Sequence, residues 1–195
     1  MPESVRRSGA LSGSWFCGVT PTRLRKFEVA GPYGPYRARK QADYGAVEDG
    51  RPTFSHFGIC VSDLERSLAF YCGALGFEKA ESHEIGAEFA RLMELDRVAV
   101  TSQFIRRGPT AIELLAFHEP SPFGERERRA VNQFGLTHLS FRVRDVAATA
   151  ERVVELGGAV VGSSRTTIDL GGTVLEFVYC TDPDGVRVEL IDLGG

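Results

Sequence analysis

The sequence predicts an α+β protein made of two copies of a βαβββ module, and three observations carry that prediction. First, His56-Phe57-Gly58-Ile59-Cys60-Val61-Ser62-Asp63 and His138-Leu139-Ser140-Phe141-Arg142-Val143-Arg144-Asp145 share a frame at an offset of 82 residues. Each runs from a histidine through alternating polar and apolar positions to a valine, then meets an aspartate that opens a helical pattern, which is the mark of an internal repeat. Second, each repeat closes on a strand with a carboxylate among aliphatics, Ala111-Ile112-Glu113-Leu114-Leu115 and Val186-Arg187-Val188-Glu189-Leu190. Third, glycines stop the helical runs at corresponding places, Gly76 and Gly157-Gly158.

The elements follow in order. Phe54 to Val61 alternates as a strand, and Ser62-Asp63-Leu64-Glu65 has the Ser-x-x-Glu form of a capping box. Leu64, Leu68, Tyr71 and Leu75 then fall at helical spacing. A strand is expected over Phe77 to Glu84 and a short helical insertion over Ala87 to Leu95. Strands over Val98 to Ile105 and Ala111 to Phe117 follow, parted by the turn Arg107-Gly108-Pro109-Thr110. The second module repeats the plan: strand His138 to Val143, helix Asp145 to Leu156 and strand Ala159 to Ser163. Strands Thr173 to Tyr179 and Val186 to Asp192 complete it, joined by the turn Asp182-Pro183-Asp184-Gly185.

Residues 54–118 thus form module one, 119–135 a charged linker carrying Pro120 and Pro122, and 136–193 module two. Residues 1–53 are rich in Gly, Ser, Pro and Arg without periodicity, so they read as a poorly ordered leader dispensable for folding. With 195 residues and 43% hydrophobic composition the chain can bury a sizeable core. A net charge of −3 gives no electrostatic footprint for nucleic acid, and no apolar run approaches the ~20 residues a membrane span needs. Cys17, Cys60, Cys72 and Cys180 show no CxxC spacing, which points to a reducing cytoplasm rather than to a disulfide scaffold.

Strand parity locates the chemistry. Phe57, Ile59 and Val61 share one face and His56, Gly58 and Cys60 the other; Leu139, Phe141 and Val143 likewise oppose His138, Ser140 and Arg142. In the closing strands Glu113 opposes Ile112 and Leu114, and Glu189 opposes Val188 and Leu190. His56, Glu113, His138 and Glu189 therefore lie away from the helix-packing faces, with the small residues Gly58 and Ser140 beside the histidines leaving room for a substrate. Singly, a strand histidine or a terminal glutamate is more often a half-buried or solvated residue; the matched placement in both repeats favours a metal site.

At these residues the chain resembles the vicinal oxygen chelate superfamily of glyoxalase I, methylmalonyl-CoA epimerase, extradiol dioxygenases and fosfomycin- or bleomycin-resistance proteins. His56-x4-Val61-Ser62-Asp63-Leu64-Glu65-Arg66-Ser67-Leu68-Ala69-Phe70-Tyr71 with Leu75-Gly76-Phe77 is similar to its opening signature, and Asp182-Pro183-Asp184-Gly185-x3-Glu189-Leu190 to its closing one. The resemblance implies two modules whose sheets form an open cup around one divalent metal, held by His56, Glu113, His138 and Glu189. Two imidazoles and two carboxylates suit Zn, Ni, Co, Mn or Fe(II), and such a metal can chelate adjacent substrate oxygens and stabilise an enediolate. Glu189, with Glu113 as its counterpart, is then the expected catalytic carboxylate of a lyase or isomerase acting on a small carbonyl compound.

Arg142 and Arg187 are candidates to bind an anionic substrate group, though such arginines more often balance a local carboxylate. Arg106 and Arg107 read as solvated, His83 and His118 as surface or edge residues, and Cys60 as wall. Cys60 stands where glyoxalases carry a glutathione-binding arginine, and Ala116-Phe117-His118-Glu119 replaces their Asn-Trp-Gly, which argues against glutathione. Two other readings stay open: an Fe(II) extradiol dioxygenase using His56, His138 and Glu189, and a resistance-type binding protein that needs no metal. A homodimer is expected, and the repeat allows the cup to close within one chain or across two.

Overall fold

The computed structural model describes residues 50–194, so all but the end of the expected leader, 1–53, lies outside the described residues. Module one runs β1 (Phe57–Val61), α1 (Leu64–Gly73), β2 (Glu78–Ile85), β3 (Ala99–Arg107) and β4 (Thr110–Glu119). Module two runs β5 (Leu139–Arg142), α2 (Val146–Glu155), β6 (Ala159–Asp169), β7 (Val174–Thr181) and β8 (Arg187–Asp192). Each makes a four-stranded mixed sheet, ordered β1-β4-β3-β2 and β5-β8-β7-β6, with β1 parallel to β4 and β5 parallel to β8.

The main departures from expectation are local. The expected helical insertion shrinks to the 3₁₀ turn Ala87–Phe89 followed by irregular turns. β6 extends to Asp169, because a register shift between Val161 and Thr166 lets it resume pairing with β7 after an interruption. The cap of α1 is Asp63, whose carboxylate accepts from the Arg66 amide at 3.0 Å, rather than Ser62 of the expected capping box. Ser62 is drawn instead to Asp184 in the other module.

Both sheets bury their helix-bearing faces in one shared core. Ile59, Val61, Ile112 and Leu114 from the first sheet join Leu139, Val178, Val188 and Leu190 from the second, with Phe70 and Tyr71 of α1 and Val153 of α2 among them. Truncating a fully buried member such as Leu114 to Ala would cost ~2–5 kcal/mol. The modules approach closely at Gly158, where an added Cβ would lie 2.4 Å from the Thr181 carbonyl and 2.7 Å from the Phe70 ring. Any side chain there would push the two apart.

Polar ties fix the same junction. Asp184 accepts from the Ser62 amide at 2.8 Å, the Ser62 hydroxyl at 2.5 Å and Arg66 Nη2 at 2.8 Å. Beside it the buried Asp182 accepts from the Tyr71 hydroxyl at 2.9 Å and from the Asp184 and Val186 amides. Burial pushes the Asp182 carboxyl up and these three donors pull it back; burial and the facing carboxylate push the Tyr71 phenol well up.

Candidate metal centre

With the helix-bearing faces committed to the shared core, the opposite face of each sheet is turned outward, and there each module assembles a histidine–glutamate pair. β1 and β4 run parallel with Gly58 opposite Glu113, so His56 and Glu113 share a face, and His56 Nε2 lies 3.1 Å from Glu113 Oε2. β5 and β8 pair Ser140 with Glu189, and His138 Nε2 lies 3.5 Å from Glu189 Oε2. Donors bound to one metal at ~2.1 Å each are roughly 3.0–3.4 Å apart in octahedral or tetrahedral geometry; the first separation falls in that range and the second just beyond it.

Hydroxyl groups orient every member of both pairs. Ser55 Oγ lies 2.9 Å from His56 Nδ1, and Thr137 Oγ1 lies 2.9 Å from His138 Nδ1. Each hydroxyl can accept from Nδ1–H or donate to Nδ1; in the first tautomer the Nε2 lone pair faces the carboxylate, an arrangement suited to a cation between them. Glu113 is held through Oε1 by the Ser102 hydroxyl at 2.5 Å, and Glu189 through Oε2 by the Ser140 hydroxyl at 2.7 Å. The sequence reading singled out none of these four for this task. The signal was present for two of them, since a hydroxyl residue directly precedes each histidine.

The two pairs are not brought together. Among the described residues no group of three or more His, Cys, Asp and Glu is placed to hold a metal ion. Each sheet presents one histidine–glutamate pair.

The flanking residues divide sharply. Arg187 is buried, its guanidinium stacked 4.8 Å from the Tyr179 ring and its Nη2 donating to the Arg129 carbonyl of the linker. Burial, with Arg128 nearby, lowers its pKa. Arg142 is exposed and borders a cleft of about 400 Å³ along β5, together with His138, Ser140, Phe57 and Phe77. A second cavity of about 240 Å³ lies against Glu189 and is lined by Thr166, Ile168, Phe177 and Tyr179. Cys60 is exposed on the outward face of β1, its thiol raised by partial burial and by Asp184.

Arg107, read as solvated, donates to the Leu75 carbonyl at 2.7 Å and ties down the end of α1. Arg106, also read as solvated, is paired with Glu81 on the outward face of the first sheet. His83 packs edge-on to Phe104, and His118 lies 2.8 Å from the Thr101 hydroxyl.

The family model of the glyoxalase/bleomycin resistance protein/dioxygenase superfamily matches residues 53–190. The chain belongs to that superfamily. A relative named ethylmalonyl-CoA/methylmalonyl-CoA epimerase from Cereibacter sphaeroides is 33% identical over 138 residues, 70% of this chain and 94% of the relative. One named probable lactoylglutathione lyase from Synechocystis sp. is 31% identical over 137 residues, 70% of this chain and 92% of the relative. A solved glyoxalase family protein from Bacillus cereus superposes with a TM-score of 0.65 at 19% identity, covering 77% of this chain and all of that one, a likeness of fold. No helix among the described residues is long and apolar enough to cross a membrane.

Proposed function

We propose that the protein is a metal-dependent isomerase or lyase of the epimerase/glyoxalase type, whose site joins His56 and Glu113 of one copy to His138 and Glu189 of a second. One observation carries this reading: each histidine–glutamate pair is formed at ligand spacing within its own sheet, while the shared core turns the two pairs outward and apart. β1 and β5 each pair on one side only, which leaves an open edge beside each half-site to meet a partner. A two-fold dimer then completes two equivalent sites.

The donor set fits Zn, Ni, Co, Mn or Fe(II), which would supply Lewis acidity toward adjacent oxygens of a small carbonyl substrate. The chain's own residues do the rest. Glu189 takes the proton from the substrate carbon: of the two glutamates it is the one bordering the 240 Å³ cavity, and Ser140 fixes which of its oxygens is turned away. Ile168 and Phe177 give that open cavity an apolar wall beside the carboxylate. Arg142 is assigned to an anionic part of the substrate, a role supported by its exposure in the cleft it shares with His138.

The test uses two doubly substituted proteins, His56→Ala/Glu113→Ala and His138→Ala/Glu189→Ala, dissociated and reassociated together. Each alone holds no metal. Random pairing of the two makes about half of the dimers mixed, with one intact site of two, so bound metal should recover to about a quarter of wild type. No recovery in a mixture that demonstrably exchanges subunits would rule out the shared site.

A further inference from the structure

On the first sheet, β2 and β3 pair regularly except at one place. Lys79 faces Ile105 and Ser82 faces Gln103, so Ala80 and Glu81 together stand opposite Phe104 alone. This is a β-bulge, a device that redirects a side chain. Regular alternation from Lys79 would send Glu81 toward the helix-bearing face; the extra residue returns it to the outward one. The bulge is held from behind by Gln103, a buried residue whose amide donates to the carbonyls of Ala80 at 3.3 Å, Glu81 at 3.1 Å and Phe104 at 2.8 Å.

The redirected Glu81 meets Arg106, which shares the outward face with Phe104 and Ser102. Nη2 of the guanidinium engages it at 3.4 Å, long beside the ~2.7–2.9 Å of a strong charge-assisted bond. Arg106 Nε is buried with no hydrogen-bond partner. The side chain nevertheless keeps 32% of its surface accessible while that of Glu81 keeps 11%. With Nε buried, what a ligand can reach is the accessible remainder of the guanidinium, held in place by Glu81.

Its position relates it to the half-site. The Arg106 Cζ lies 5.8 Å from the centre of the Phe104 ring, and the His56 imidazole packs edge-on to the same ring at 5.1 Å. One aromatic ring therefore separates the guanidinium from a proposed ligand. We infer that Arg106 is a specificity-determining residue that binds a carboxylate of the substrate, so that the substrate carries a carboxylate beyond the oxygens that meet the ligand set. The inference rests on the proposed reading of the ligand pairs. Planar recognition of two oxygens is the task for which arginine is suited above lysine.

Two bidentate oxygen chelators serve as probes, acetohydroxamate and the monohydroxamate of succinic acid, titrated calorimetrically into metal-loaded wild-type protein, Arg106→Leu and Arg106→Lys. The wild type should prefer the carboxylate-bearing probe by about tenfold or more. Arg106→Leu should lose that preference with its affinity for acetohydroxamate unchanged, and Arg106→Lys, which preserves the charge should the leucine variant fail to fold, should retain part of it. No preference in the wild type, or a preference surviving in Arg106→Leu, overturns the inference. A preference lost as fully in Arg106→Lys would show an effect of packing and overturn it too. If both hydroxamates bind equally well after chelation of the metal, the metal reading fails separately. Succinate alone, titrated against the Arg106 Nε–H resonance of the metal-free protein, then decides: a saturable shift supports the carboxylate site and its absence refutes it.

Discussion

The two modules carry the same histidine–glutamate pair but secure it differently. In module one the hydroxyl holding Glu113 comes from β3, through Ser102; in module two the one holding Glu189 comes from β5, through Ser140. The turns before the last strands diverge further. Arg107, at the start of the first, bonds the end of its own helix, whereas Asp182 and Asp184 in the second reach across to α1 of the other module. The backbone plan and the histidine–glutamate positions are thus repeated, while the residues around them differ: on the proposed reading recognition falls to Arg106 in the first module and proton transfer to Glu189 in the second, where Asp182 and Asp184 also clamp the core.

The widest separation between the modules is expected at the carboxylates. Glu189→Gln should retain metal and lower solvent-deuterium exchange into an acyl-CoA epimer or a 2-oxoaldehyde–thiol adduct by at least about a hundredfold. Glu113→Gln should cost far less, and equal losses in the two would erase the distinction. Next in size is the clamp. Asp184→Ala strands the Ser62 amide and Arg66 and should destabilise the fold by ~2–3 kcal/mol in urea titrations, whereas removing the Arg107 contact from module one should cost under about 1.5 kcal/mol.

Tyr71→Phe removes one of the donors that pull the Asp182 carboxyl down, at a cost of ~1–2 kcal/mol near pH 7. Because burial holds Asp182 above 3.8, its contribution to stability is present in full below that value and is lost as pH rises through the folded pKa. Without Tyr71 the folded pKa climbs further, so the variant should be penalised less near pH 4 than near pH 7. A penalty that grows on acidification would contradict this assignment. Arg126→Ala, which loses only a 3.5 Å exposed contact to Ser62, should change stability by less than ~0.5 kcal/mol.

Much of this was legible in the residues. Alternation placed His56, Glu113, His138 and Glu189 away from the aliphatic faces because strand parity is a local property, and the repeat fixed the element order. What escaped the sequence depends on contacts between distant segments. Ser62 looked like a helix cap because nothing near it reveals Asp184, and Arg187 looked available because the linker and the Tyr179 ring cover it only in the folded chain. Glu81 was invisible as a partner for Arg106, since the bulge that turns it outward is decided by Gln103, which reads as an ordinary polar strand residue. The separation of the two histidine–glutamate pairs was beyond reach for the same reason: it follows from how two apolar faces meet, and the pattern that creates those faces is equally compatible with pairing inside one chain.

The bond between Ser62 and Asp184 spans 122 residues of chain. On a ribosome extending the polypeptide at roughly 5–20 residues per second, the hydroxyl and amide at the start of α1 emerge roughly 6–24 s before the carboxylate that will receive them. Over that interval the apolar side of the first module has no second sheet to cover it. Vectorial synthesis therefore cannot finish one half before beginning the other; the nascent chain must shelter Phe70 and Tyr71 until its last strands arrive.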